Sequence, residues 1–332
     1  MTVTSDGPVL EVDDLHVVFP ARGREGTLVE AVKGVSLRIS HGEIVGLVGE
    51  SGSGKSLTAR AVMGLVPESG TVRAARLVLE GRSLLGLPER ELRPLRGSRL
   101  AMVFQDPMRS LNPVLRIRAQ FRQVLRAHGE RDPKVADDRA KALLESVGIQ
   151  DASGSLTRYP HELSGGMQQR VMIAMALSCG PSLLIADEPT TALDATVQAQ
   201  VLDLIDEKRR QLNLSVLLIT HDLGVVENLA DRVAVMYAGR IVASGPTREL
   251  LDDPKHPYTR ALLRSVPRLS APKNLVPIPG VPALSTDRDV GCAFAPRCSL
   301  ADERCARERP ELRAVEAGHE AACWALERTV VR

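Results

Sequence analysis

Gly49-Glu50-Ser51-Gly52-Ser53-Gly54-Lys55-Ser56 has the spacing G-x-x-x-x-G-K-[ST]. Glycines so placed let backbone N–H groups converge on phosphate oxygens that a Cβ would hold away. Lys55 is long enough to reach a β- or γ-phosphate, and the Ser56 hydroxyl suits Mg²⁺. With Ser51, Gly52, Ser53 and the following Leu57, the block reads as a phosphate cradle. Asp187 and Glu188 end the apolar run Leu183-Leu184-Ile185-Ala186. The first carboxylate suits the shell of a divalent cation, and the second can polarise an attacking water. Thr220-His221-Asp222 closes the next apolar run, a weak signal alone that gains meaning when two strands converge on one phosphate site. Cys292, Cys298, Cys305 and Cys323 all fall in the last 41 residues. In a reducing compartment such a cluster reads as a metal or iron–sulfur site before it reads as disulfides. The spacing Cys292-x₅-Cys298-x₆-Cys305-x₁₇-Cys323 lacks a C-x₂-C knuckle and fits a zinc ribbon poorly. Spacing alone does not choose between zinc and an iron–sulfur cluster, and His319 is a further donor.

The elements needed to carry these groups are legible around them. Ile44-Val45-Gly46-Leu47-Val48 is a short apolar run of the kind buried on both faces of a parallel sheet, and Leu57 to Leu65 has helical character. Strand, glycine loop and helix open an α/β nucleotide-binding unit. Ser182 to Ala186 and Ser215 to Ile219 read as further parallel strands, whose carboxyl ends are where ligands bind in such sheets. Residues 9–50 read as strands, with Leu10, Val12, Leu15, Val17 and Phe19 in a broken alternation. The region from about Asp106 to Ser178 reads as a helical insertion. Pro267, Pro272, Pro277, Pro279 and Pro282 mark a linker ahead of the cysteine-bearing tail. Arg116, Arg118, Arg122 and Arg126 read as a solvated helix face, and Cys179 as a buried small hydrophobe.

Composition excludes several classes. The 332 residues are 44% hydrophobic and 25% charged, an ordinary globular balance rather than a disordered or collagen-like one. Lys+Arg 43 against Asp+Glu 41 leaves a net charge of +2, too balanced for a nucleic-acid surface. One Trp, three Tyr and four Phe are too few for platforms that stack single-stranded bases. No apolar run approaches the ~18 residues of a membrane span. Met1 to Pro8 has neither the basic nor the apolar part of an export signal, so a cytosolic location is expected.

Leu163-Ser164-Gly165-Gly166-Met167-Gln168-Gln169-Arg170 resembles the LSGGQ-like signature of ATP-binding cassette ATPases. The resemblance extends to Gln105 after Met102-Val103-Phe104 and to Thr191-Ala192-Leu193-Asp194. It implies an α/β fold: a RecA-like, ABC-type P-loop NTPase core with an N-terminal antiparallel β-subdomain, a helical subdomain and a small Cys-rich C-terminal extension. The implied domains are 9–266, with the helical subdomain at about 106–178, and 267–332. It also implies that ATP is bound with Mg²⁺, the latter held by Ser56, Gln105 and Asp187. Phe19 would stack on adenine, Glu188 orient water, His221 contact the γ-phosphate and Gln105 sense the metal. Ser164, Gly165, Gly166 and Asp194 would serve the ATP of a facing cassette.

Narrower motifs are similar to the D-type ATPase subunits of oligopeptide and dipeptide importers. They are Gln105-Asp106-Pro107-Met108, Ser110-Leu111-Asn112-Pro113, Tyr159-Pro160-His161-Glu162, His256-Pro257-Tyr258-Thr259, Pro279-Gly280 and Gly291 to Cys323. This implies an ATPase powering peptide import from the cytoplasmic face of the membrane, paired with an F-type cassette. Two transmembrane permeases would complete the complex, served indirectly by an extracytoplasmic binding protein, and no nucleic acid would take part. It further implies a [4Fe–4S] cluster on the four tail cysteines, with zinc as the alternative, and Cys→Ser changes there are expected to destabilise the tail and spare ATP binding. Nickel or another solute is the alternative cargo. Chromosome-type cassettes are disfavoured because Lys55 and Ser164 lie only 109 positions apart, too close for an inserted coiled coil. Translation-factor types, with two cassettes per chain, are disfavoured because only one is present.

Overall fold

The computed structural model describes residues 7–21, 27–106, 110–191, 193–265, 277–283, 290–316 and 318–329. Pro107 and Met108, Ala192, and the linker prolines Pro267 and Pro272 lie outside these residues. The strands run in chain order β1 (Leu10–Pro20), β2 (Leu28–Ile39), β3 (Ile44–Val48), β4 (Thr71–Arg73), β5 (Arg76–Leu79), β6 (Arg82–Ser83), β7 (Leu100–Val103), β8 (Leu183–Asp187), β9 (Ser215–Thr220), β10 (Arg232–Tyr237), β11 (Arg240–Pro246), β12 (Arg313–Glu316) and β13 (His319–Ala321). The chain divides into two compact units, the first drawn from residues 1–39, 44–85 and 218–332, the second from 40–43 and 86–217.

In the first unit an antiparallel sheet has the order β2-β1-β5-β6, with β4 also on β1. Leu10, Val12, Leu15 and Val17 of β1 are fully buried. Their alternation breaks because the register with β2 shifts between Val12 and Leu15, where Asp14 takes a left-handed φ of 52°. This is a β-bulge, which re-aims the side chains beyond it. A second run of strands in this unit is β12-β13-β11-β10-β3. All five residues of β3 are buried, and β3 lies parallel to β10 with Arg232 opposite Val45 and Val235 opposite Val48. The Asp231 carboxylate accepts the Ile44 N–H at 2.8 Å and fixes where β3 begins. The tail joins this unit directly, since β13 pairs with β11 through Ala321 opposite Ala243. Trp324 donates its indole N–H to the Glu308 carbonyl at 2.9 Å, under the Arg304 guanidinium 3.4 Å from its ring centre.

In the second unit β7 and β8 are parallel, with Leu100 opposite Leu183 and Val103 opposite Ala186. β9 contributes Ser215 to Leu217 here and its remaining residues to the first unit. The insertion is helical from Ile117–Ala127 through Pro133–Ser146 and Ala152–Thr157 to Gly165–Leu177. Ile117, Phe121 and Leu125 form the buried stripe of the first of these, at the four-residue spacing that stacks side chains on one helix face. Its polar face is less solvated than the sequence suggests. The Arg122 guanidinium grips Asp137 through two 2.7 Å hydrogen bonds, and Arg116 donates to the Thr157 carbonyl at 2.8 Å. Among the described residues no helix is long and apolar enough to cross a membrane.

His256 caps the helix Pro257–Ser265 from a buried position, its Nδ1 accepting the Tyr258 N–H at 3.0 Å. Burial drives its pKa from 6.5 down to about 4. The folded imidazole therefore stays neutral where the unfolded one takes a proton, so stability contributed above pH 6.5 is lost as pH falls towards 4. The loss should be on the order of 3 kcal/mol. Urea unfolding of the wild type and of His256→Gln should show a stability difference that is flat above neutrality and shrinks across this window.

Candidate functional site

The glycine loop follows β3 within the first unit, and its shape follows from space. Gly49 has φ 155°, and a Cβ there would stand 2.1 Å from the Met236 carbonyl oxygen on β10. Gly54 has φ 108°, and its Cβ would stand 2.7 Å from Met236 Cε and 3.0 Å from the Ala31 carbonyl. Gly52 is also left-handed at φ 79°. Gly54 is the N-cap of the helix Lys55–Val62, which supplies neither a capping side chain nor an acidic first turn. Its positive N-terminal end therefore meets no carboxylate of its own first turn. Lys55 is only 5% exposed, and its ammonium spans the loop, donating to the Gly49 carbonyl at 2.8 Å and the Glu50 carbonyl at 3.1 Å. Ser51 and Gly52 are exposed, while Gly54, Ser56 and Leu57 are half-buried. The Ser53 hydroxyl is buried without a hydrogen-bond partner among the described residues. A cradle that no Cβ can enter, an inward lysine and an orphaned hydroxyl fit a bound phosphate chain.

In the same unit, exposed His221 follows β9 beside Asp222, whose carboxylate caps the helix Leu223–Leu229 through the Gly224 N–H at 2.8 Å. Phe19 is half-buried near the end of β1, and a Cβ on Gly70 would stand 2.6 Å from its ring. Its ring thus rests against the Gly70 backbone.

The second unit assembles a cluster at the end of β8. Asp187, 5% exposed, is the last residue of the strand. Glu188 follows with φ 47°, a left-handed backbone that a side chain adopts at some energetic cost. Its Oε2 accepts from Gln105 Nε2 at 2.8 Å and from Thr191 Oγ1 at 3.0 Å. Gln105 and Glu188, 83 positions apart in sequence, are therefore brought together. The bond from Thr191 had no signal in the sequence beyond its place two residues after Pro189.

The signature segment lies in this unit too. Ser164 is the N-cap of Gly165–Leu177 and accepts the Met167 N–H at 3.3 Å. Asp194 caps Ala195–Leu212 and accepts the Val197 N–H at 3.0 Å. Both residues are exposed, as is Gly165, while Gly166 is half-buried. Gln168 is buried, and its amide donates to the carbonyls of Pro160 at 2.8 Å and Leu163 at 3.1 Å. It locks the approach to the signature, a role signalled in the sequence only by a polar residue one turn beyond Ser164.

The four tail cysteines are free thiols. Burial and the charges of the neighbouring thiols push Cys292 up to about 11, and Cys305 and Cys323 are raised as well, burial again being the first cause. Among the described residues no group of three or more His, Cys, Asp or Glu is arranged to hold a metal ion. The expected [4Fe–4S] cluster on Cys292, Cys298, Cys305 and Cys323, and zinc in its place, are therefore not supported by the arrangement of the described residues. His319 belongs to no such group among the described residues either. Its buried ring has no hydrogen-bond partner among the described residues, and the charges it feels are those of Glu316, Lys255, Asp253 and Glu249.

Two adjacent glycines give opposite expectations. A Cβ on Gly166 would stand 2.7 Å from Val197 Cγ1, whereas one on Gly165 meets only Leu193 Cδ2 at 3.6 Å. Gly166→Ala should lower stability by about 1–3 kcal/mol through overpacking, and adding Val197→Ala should recover most of it. Gly165→Ala should be neutral or stabilising by up to about 1 kcal/mol. Thermal unfolding of the three variants beside the wild type checks the set.

Comparison with known proteins agrees with this geometry. The ABC transporter family profile matches residues 32–191, and the profile for the oligopeptide/dipeptide transporter C-terminal region matches residues 242–305. The oligopeptide transport ATP-binding protein OppD of Bacillus subtilis is 46% identical over 321 residues, covering 96% of this chain and 89% of that one. The dipeptide transport ATP-binding protein DppD of Escherichia coli is 45% identical over 316 residues, covering 95% and 96%. Among solved structures, a dimeric ATP-binding cassette in a post-hydrolysis state with ADP and Pi superposes with a TM-score of 0.62 at 25% identity, covering 72% of this chain and 99% of that one. Near-complete alignment to such relatives, with both profiles in order along the sequence, shows that the chain belongs to the ABC transporter family, among the ATP-binding proteins that carry the oligopeptide/dipeptide transporter C-terminal region.

Proposed function

We propose that this chain is the ATP-hydrolysing subunit of an ABC importer for peptides. The observation that carries the reading is the loop at Gly49, closed to any Cβ and spanned by the buried Lys55 ammonium. The names of the relatives, peptide transport ATP-binding proteins, support the cargo class. The loop N–H groups and Lys55 would bind the phosphates, with Ser51, Gly52, Ser53, Gly54 and Leu57 shaping the cradle and Phe19 meeting the adenine. Ser56, Gln105 and Asp187 would hold Mg²⁺, which when bound neutralises charge developing on the transferred phosphoryl group. Glu188 would take the proton of the attacking water, the Gln105 and Thr191 bonds fixing its carboxylate in place meanwhile. His221 would contact the γ-phosphate.

Exposed Ser164, Gly165 and Asp194, with half-buried Gly166, lie at two helix N-termini, an anion-binding geometry, in a chain that already has its own phosphate loop. We therefore assign them to the nucleotide of a second cassette, for which an F-type partner is the proposal. The nucleotide-binding part would be 9–266 and the extension 267–332. The subunit would work on the cytoplasmic face of the membrane with two permease subunits.

ATPase measurements test this reading. The isolated chain should turn over slowly and accelerate with its partner cassette and permeases. Glu188→Gln should lower turnover by about 10²–10⁴-fold while retaining nucleotide, because the amide keeps the shape but accepts no proton. Lys55→Ala should instead weaken nucleotide binding itself. Full activity in a strictly monomeric preparation would sink the shared site, and near-normal turnover by Glu188→Gln would remove that residue from the role of base.

A further inference from the structure

Between Cys292 and Cys298 the tail carries Arg297, whose side chain is 3% exposed. Its guanidinium meets the carboxylate of Glu50, the second residue of the glycine loop, in a two-point fork. Nη1 donates to Oε2 at 2.6 Å and Nη2 to Oε1 at 3.0 Å. Two neighbours orient the guanidinium, the Pro279 carbonyl accepting from Nε at 2.8 Å and the Tyr237 hydroxyl from Nη1 at 3.3 Å. Glu50 is held at its backbone as well, its N–H donating to the Tyr258 hydroxyl oxygen at 2.9 Å. The rings behind these contacts form one cluster, with Tyr237 to Tyr258 at 4.6 Å, Tyr258 to Phe294 at 5.3 Å and Tyr237 to Phe294 at 5.4 Å between centres.

These contacts run on into the phosphate loop. The carbonyl of Glu50 is one of the two that receive the Lys55 ammonium, and it also accepts the Ser53 N–H at 3.2 Å. A residue fixed at its side chain and its N–H has little freedom to turn its carbonyl. Such a fork combines charge with fixed geometry, and Lys cannot reproduce both of its points. The tail, whose cysteines were expected to be dispensable for ATP binding, therefore reaches the loop within two residues of Gly52.

We propose that Arg297 is a positioning residue for the phosphate-binding loop: held by the folded tail, it fixes Glu50 so that Lys55 and the loop N–H groups are preset before nucleotide arrives. The inference rests on the reading of this loop as the ATP site. Presetting lowers the ordering that binding must otherwise impose, so its loss appears as weaker affinity.

The test is equilibrium titration of the full-length chain with a fluorescent ATP analogue, paired with the melting midpoint of each nucleotide-free variant. Arg297→Gln and Glu50→Gln should each weaken binding by about ten-fold, the scale of one charge-assisted hydrogen bond. The double variant should bind no worse than either single one, and Arg297→Lys should recover part of the loss. An Arg297 that merely anchors the tail would lower the midpoint and leave affinity at the wild-type level, which would overturn the proposal. Should the single variants fail to fold, Glu50→Leu with Arg297→Met leaves no buried charge. Weakened binding by that folded chain supports the inference, and wild-type affinity refutes it. A folded wild type that does not bind the analogue, or a Lys55→Ala chain that binds as well as wild type, would strike at the ATP reading instead.

Discussion

A loop that offers its backbone N–H groups to an anion cannot use them in a ladder of its own, and cannot carry Cβ atoms where it folds back on the sheet. Gly49 meets both demands where any other residue would stand 2.1 Å from the Met236 carbonyl. The constraint spreads outward from that contact. β10 must lie beside β3 to close the loop, and the five buried residues of β3 must have both faces covered to hold their register. Lys55, buried and bound to two loop carbonyls, then occupies the interior in place of the missing side chains.

Helix N-termini show how one arrangement serves folding and chemistry together. Asp132, Asp151, Ser164, Asp194, Asp222 and Asp302 each cap a helix through a side-chain oxygen. Four of the six have no further role in this reading. Ser164 and Asp194 are exposed and followed by first turns without acidic residues, features that Asp132 and Asp151 share. Capping satisfies only part of the first turn, and the remaining N–H groups stay available to an incoming anion. Structural and functional duties at these residues therefore do not compete.

Glu188 pays for its position in backbone conformation. Its left-handed φ turns the chain sharply off β8 directly after Asp187, so adjacent carboxylates at the strand end need not share one orientation. Gln105 and Thr191 then hold the same oxygen of the second carboxylate. A side chain fixed by two donors loses little entropy on meeting a reacting water, which is the physical content of preorganisation.

The phosphate loop, the strand before it, the helix after it and the signature segment were all legible in the sequence. Each leaves a local pattern in glycine spacing, apolar runs and polar residues, although the space that requires Gly49 is set by Met236 of β10. The broken alternation in β1 was visible too, though only the register with β2 identifies it as a bulge at Asp14. The four cysteines show the reverse, since their proximity in sequence suggested a metal site that no grouping among the described residues supports. Polar pairs across long separations were beyond sequence reading: Gln105 with Glu188 at 83 positions, and Glu50 with Arg297 at 247. Charged and amide groups carry no local pattern that names a partner, because their pairing is decided by which surfaces the packed core brings face to face. The chemistry of the phosphate site was thus set by local sequence, and what holds that site in position was set by tertiary structure.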